Sequence, residues 1–154
     1  MPHPADVLTL TPCWTAHVLL EPTREQGPGP TGTRLIVPIV GGSFDGVLDP
    51  DGAARPFAGR ILPGGFDLQR MRGDGVKELE AIYHMQTDDG VGIEIRNHAL
   101  LTYSAPGQLD YARSRIHVEA PAGAYAWLNT RVFVGSVEVV RPGAEVRIRS
   151  FVLA

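Results

Sequence analysis

Glycine and proline interrupt this chain at short intervals, and that spacing limits what it can fold into. There are 18 glycines and 13 prolines among 154 residues, about a fifth of the chain. Proline removes a helical hydrogen bond and clashes with the preceding turn, and glycine weakens helix interiors. No segment stays clear of both for long, so a helix bundle and a coiled coil are excluded. What lies between the breaks is short, apolar and rich in β-branched residues, the pattern of strands joined by turns.

Segment 7–20 reads as a first strand bent at Pro12. Gly27-Pro28-Gly29-Pro30 fits a loop and cannot be a central strand. Segment 34–40 is a β-branched run ended by Gly41-Gly42, with Pro38 suited to an edge or a bulge. Asp49-Pro50-Asp51-Gly52 is a turn, and 56–62 a short strand closed by Pro63-Gly64-Gly65. Two Asp-Gly pairs, 74–75 and 89–90, suit tight hairpin turns and predict a meander of 66–71, 76–87 and 91–97. Segment 76–87 also fits helical spacing; the flanking hairpin turns favour a strand. With 115–119, 125–134 and 144–153, the expectation is eight or nine strands in one domain over 1–154, as a closed barrel or a sandwich.

Charge and composition narrow the partners. The net charge is −3, so no basic face suits nucleic acid or an anionic membrane. A single cysteine, Cys13, excludes an internal disulfide and a cysteine metal cluster. The first residues carry no basic stretch followed by an apolar run, and no apolar run reaches spanning length. The expectation is a cytoplasmic protein without membrane or nucleic-acid partners.

Standard catalytic motifs are missing. The serines of Gly42-Ser43-Phe44 and Gly135-Ser136 lack nucleophile-elbow spacing, and no glycine pair opens a phosphate-binding helix. The five histidines form no His-x-His or His-Glu-x-x-His pattern, so neither a metal nor a cofactor is expected.

Alternation along strands then sets which side chains share a face. Read as a strand, 125–133 places Tyr125, Trp127, Asn129, Arg131 and Phe133 opposite Ala126, Leu128, Thr130 and Val132. Trp127 and Asn129 either line a ligand cavity, or serve as core packing and a loop contact; the aliphatic face leaves room for a homo-oligomer contact. Asp67 and Gln69 share one face after the Pro-Gly-Gly entry, and a carboxylate on a central strand is either solvated or purposeful. His84 lies with Glu80 and Gln86, and Tyr83 with Leu79 and Met85. Arg115, His117 and Glu119 form another row. These polar rows are either outer faces or, turned inward, a source of acid, base and cation for proton transfer.

Several of these stretches together resemble the DUF3237 (UPF0311) family. They are Gly27-Pro28-Gly29-Pro30-x-Gly32-x-Arg34, Pro38-Ile39-x-Gly41-Gly42-x-Phe44-x-Gly46, and Gly59-x-x-Leu62-Pro63-Gly64-Gly65-Phe66-Asp67-Leu68-Gln69. Asp74-Gly75, Tyr83, Thr87-Asp88-Asp89-Gly90, Tyr125-x-Trp127-Leu128-Asn129 and Val132-Phe133-Val134-Gly135 follow in order. Leu68 stands where the family usually has an aromatic residue, and Ile82 where it often has arginine. The resemblance implies an all-β, single-domain, calycin-like, up-and-down antiparallel β-barrel. It brings no reaction with it.

The functional expectation is a cofactor-independent acid/base enzyme, an isomerase, cyclase, lyase or hydratase, acting on a small, partly apolar molecule inside the barrel. Asp67 is the expected acid or base, with Tyr83 or His84 as proton partner. Arg34, Phe44, Gln69, Arg115, Trp127 and Asn129 are the expected substrate-binding residues. The alternative is a non-catalytic small-molecule carrier with the same lining.

Overall fold

The computed structural model describes Met1 and residues 3–154. Eleven strands form among the described residues, all paired antiparallel: β1 (Leu10–Leu20), β2 (Arg24–Gly29), β3 (Gly32–Leu48), β4 (Arg55–Pro56), β5 (Gly59–Ile61), β6 (Gly65–Met71), β7 (Lys77–Thr87), β8 (Gly92–Ala105), β9 (Gln108–Glu119), β10 (Val132–Arg141) and β11 (Glu145–Leu153). From β7 to β11 each strand pairs with the next; β11 pairs with β1, β1 with β3, and β3 with β5 and β6, which return to β7. The sheet therefore closes on itself as a barrel and leaves few edges to protect.

Closure depends on β3, which is 17 residues long. Its first half pairs with β6 and the hairpin strand β2; its second half pairs with β1, β4 and β5. The handover falls at Gly41-Gly42. Gly42 has φ +135°, and a Cβ there would lie 1.9 Å from the His17 carbonyl oxygen, so only glycine lets β1 cross so closely. Pro38 sits where β1 gives way to β2, between the Leu20–Ile39 and Arg24–Ile36 pairs. Its missing N–H breaks no ladder there.

The expected meander is present. Gly75 and Gly90 take φ values of +86° and +89° in the turns flanking β7, and the ambiguous segment is a strand. The surplus over eight or nine strands comes from short pieces. Segment 56–62 divides into β4 and β5 around Phe57, whose ring turns into the core, and the Gly-Pro stretch ends the edge strand β2.

Segment 125–134 departs from the expected strand. Ala126–Thr130 is a 3-10 helix, and β10 starts only at Val132. The aromatic alternation that suggests a strand instead serves a cap. Leu128 is buried, Tyr125 stacks 5.7 Å from Phe57, and Trp127 meets Phe133 edge-on at 6.1 Å. With Trp14 and Phe44, these rings plug one end of the barrel. The other end holds a cavity.

Candidate functional site

The cavity of about 150 Å³ lies inside the barrel above Tyr83, and its two walls differ in chemistry. Strands β1, β3, β10 and β11 contribute aliphatic side chains such as Val18, Ile39, Val137 and Ile148. Strands β6, β7 and β8 contribute Asp67, Gln69, Lys77, Tyr83, Asn97 and Tyr103. Towards the mouth the wall between β9 and β10 parts, because these strands pair only over 113–116 with 133–136.

Register explains the polar wall. Asp67 pairs with Ala81, and Ala81 with Asn97, so the three form one inward row. Gln69 pairs with Leu79 in the next row towards the mouth, and Lys77 with Met71 and Leu101 in the row beyond. Tyr83 is two residues below Ala81 and forms the floor. Gly65 leaves room for it: a Cβ at that position would stand 2.7 Å from the Tyr83 Cβ.

The Asp67 side chain is buried at 8% exposure, and Gln69 Nε2 donates to its Oδ2 at 2.8 Å. Among the described residues, the other carboxyl oxygen, Oδ1, has no hydrogen-bond partner, and neither does Asn97 Oδ1. Buried polar atoms are rarely left unpaired, so two of them on one cavity wall mark a place for a polar ligand. Burial pushes the Asp67 carboxyl above the usual carboxylate range, against the Gln69 hydrogen bond, the Lys77 charge and the Glu80 backbone N–H. Burial, with the nearby Asp67 charge, pushes the Tyr83 phenol well above its ordinary value. Tyr83 is thus a hydrogen-bond donor and not a base. Burial lowers the Lys77 ammonium, while Asp67 acts the other way.

Of the residues singled out in the sequence, Asp67, Gln69 and Tyr83 meet in this cavity. The others do not. His84 faces outward opposite Glu94, since alternation puts it on the reverse of Tyr83. Arg34 pairs with Arg70, out of phase with the inward Val37–Asp67 pair, and so lies on the outer face. Arg115 is also outside, its Nη2 2.7 Å from His98 Nδ1. Phe44 packs 4.9 Å from Phe57 in the aromatic plug. Trp127 belongs to the capping helix under Arg131, and Asn129 clamps a loop, accepting from the Ala120 N–H at 2.8 Å and donating to its carbonyl at 2.9 Å. Asp67 and Trp127 therefore share no pocket. Lys77 and Asn97 are cavity residues that no motif announced. Among the described residues, no three His, Cys, Asp or Glu side chains converge as metal ligands would.

Known proteins share this architecture. A solved structure from Acinetobacter baumannii, described as a beta-barrel like protein, is 29% identical, with a TM-score of 0.82 over 100% of this chain and 99% of that one. A conserved protein of unknown function from Rhodopseudomonas palustris gives 28% identity and a TM-score of 0.81 over 96% of this chain and 99% of that one. A Penicillium herquei protein described as an enzyme shares the fold at 18% identity and a TM-score of 0.68, over 97% of each chain. A UPF0311 protein of Rhodopseudomonas palustris strain TIE-1 is 33% identical over 118 residues, covering 69% of this chain and 72% of the relative. The profile described as "Protein of unknown function (DUF3237)" matches residues 8–153, nearly the whole barrel, and with these relatives it makes this chain a member of the DUF3237 family.

Proposed function

We propose that the protein is a cofactor-independent acid/base enzyme acting on a small, partly apolar molecule held inside the barrel. The observation that carries this reading is the Asp67 carboxyl, buried in the cavity wall with Oδ1 unpartnered. A buried carboxyl held above its ordinary range is a stronger base than a solvated one, and general acid/base catalysis uses such a group. Asp67 would remove a proton from the substrate and return it at another atom. The neutral Tyr83 phenol and the Asn97 amide would hold the oxyanion that develops between those steps. The aliphatic wall would exclude water and bind the apolar part of the substrate.

This chemistry fits an isomerase, cyclase, lyase or hydratase. The Penicillium herquei neighbour described as an enzyme shares the architecture, but at 18% identity it lends the fold and no reaction. The net charge of −3 supports a small-molecule partner over nucleic acid or an anionic membrane, and cytoplasmic residence is part of the same proposal.

Proton exchange tests the reading without the natural substrate. Monocyclic ketones and enols are incubated with the protein in D₂O, and proton NMR follows loss of signal at the acidic C–H. The parent protein should accelerate exchange for at least one compound, and Asp67→Asn should reduce that rate by about two to four orders of magnitude. Binding without any exchange would instead identify a carrier barrel.

A further inference from the structure

The polar wall is ordered from floor to mouth. Tyr83 lies at the bottom, Asp67 and Asn97 flank Ala81 above it, Gln69 follows, and Lys77 stands near the rim beside Tyr103. Lys77 is the one lysine of the chain. Its position has the inward parity of Leu79, Ala81 and Tyr83, and it lines the cavity. The arginines at the mouth-side end of β6 and in the turn after it are engaged elsewhere: Arg70 pairs with Glu78, and Arg72 with Asp74 and Glu78. Among the described residues, the charge acting on the Lys77 ammonium is that of Asp67, two rows deeper. The cavity therefore has a single cation at its entrance and a carboxyl near its floor.

We infer that the substrate is a ring-sized organic acid, its carboxylate docked on Lys77 at the mouth and its reacting carbon beside Asp67. This names the substrate class for the acid/base reading above and rests on it. Three features point the same way. A cavity of about 150 Å³ holds one benzene-sized ring. A carboxylate turned towards the floor would face the Asp67 carboxyl, and like charges in a low-dielectric site repel strongly, so the acid group belongs at the Lys77 end. From the Ala81 row to Lys77 is four residues, about 13 Å of strand at ~3.3 Å per residue, and the flexible lysine stem shortens that gap to the reach of a substituted ring. One cation suits a monoanion. A phosphate ester, with its higher charge, calls for more than one such donor.

The probes are benzoate and benzamide, a charged and neutral pair of nearly equal shape. Binding is measured by calorimetry at neutral pH and low salt on the parent, Lys77→Met, Lys77→Arg and Asp67→Asn, each checked by thermal melting. The parent should prefer benzoate by tenfold or more. Lys77→Met should reduce that preference below about twofold with benzamide affinity kept, Lys77→Arg should retain most of it, and Asp67→Asn should keep or increase it. A parent that binds benzamide as well as benzoate, or binds neither at millimolar concentration, overturns the inference; so does a preference that survives Lys77→Met. Failure of the acid/base reading looks different: the benzoate preference would stand while proton exchange was absent, or was unchanged by Asp67→Asn.

Discussion

Asp67 and Asn97 face the same cavity from strands two apart, in one row with only the methyl group of Ala81 between them. Each holds a buried oxygen without a partner. A small residue between two polar ones forms a notch, and the notch is where a ligand atom can reach both.

Filling that notch should block the site. Ala81→Val adds two methyl groups between the flanking side chains, at a folding cost of about 1–3 kcal/mol, typical of overpacking. Affinity for cavity ligands should fall by tenfold or more while the melting transition remains cooperative. Calorimetry and thermal melting on the same sample check this, and unchanged affinity would move the ligand elsewhere.

Residues on the outer face should be dispensable for turnover. His84→Ala and Arg115→Ala remove exposed side chains whose strands turn them away from the cavity. Surface changes of this kind cost within about 0.5 kcal/mol, so exchange rates should stay within about twofold of the parent. A tenfold loss at His84 would mean the proton path does not run through the interior.

The sequence made the strand pattern readable because each turn carries its own chemistry. Asp74-Gly75 and Asp89-Gly90 mark the ends of β7 without reference to the rest of the fold. Asp67 and Gln69 were readable for a similar reason, since period-two alternation puts them together on any strand. Alternation does not say which face is inward, and so Tyr83 and His84, adjacent and opposed, were equally eligible until register with β8 separated them. Lys77 and Asn97 carried no motif. Their signal was positional: Lys77 has the same parity as Tyr83, and Asn97 stands across from Ala81. Trp127 and Asn129 fit a strand only in sequence, because a β-like alternation of aromatic residues also suits a cap packed on the end of a barrel.

That cap gives a stability prediction separable from function. Asn129→Ala loses both hydrogen bonds to the Ala120 backbone, about 1–2 kcal/mol together. The melting temperature should fall by roughly 3–6 °C for a chain of this size. Cavity affinity should be unchanged, because the clamp lies at the plugged end. If Asn129→Ala abolished ligand binding and left the melting temperature unchanged, Asn129 would be a ligand contact after all.

The raised Asp67 carboxyl also predicts how stability depends on pH. Burial favours its protonated form in the folded chain, whereas the unfolded chain titrates near the ordinary value of 3.8. Below that value both states carry the proton, and the stability tied to the raised carboxyl is fully present. As pH rises past it, the unfolded state ionises first, and this contribution is lost progressively until the folded carboxyl titrates as well. Asp67→Asn keeps the shape and cannot ionise, so it lacks this loss. The melting temperature of the variant relative to the parent should therefore rise with pH from about 4 and level off once the folded group has ionised. The scan runs between about pH 3 and 8, across the range in which carboxylates titrate. Paired melts across that range decide the matter: a difference that shrinks as pH rises would mean that Asp67 is stabilised as a carboxylate in the fold, and the acid/base assignment would lose its basis.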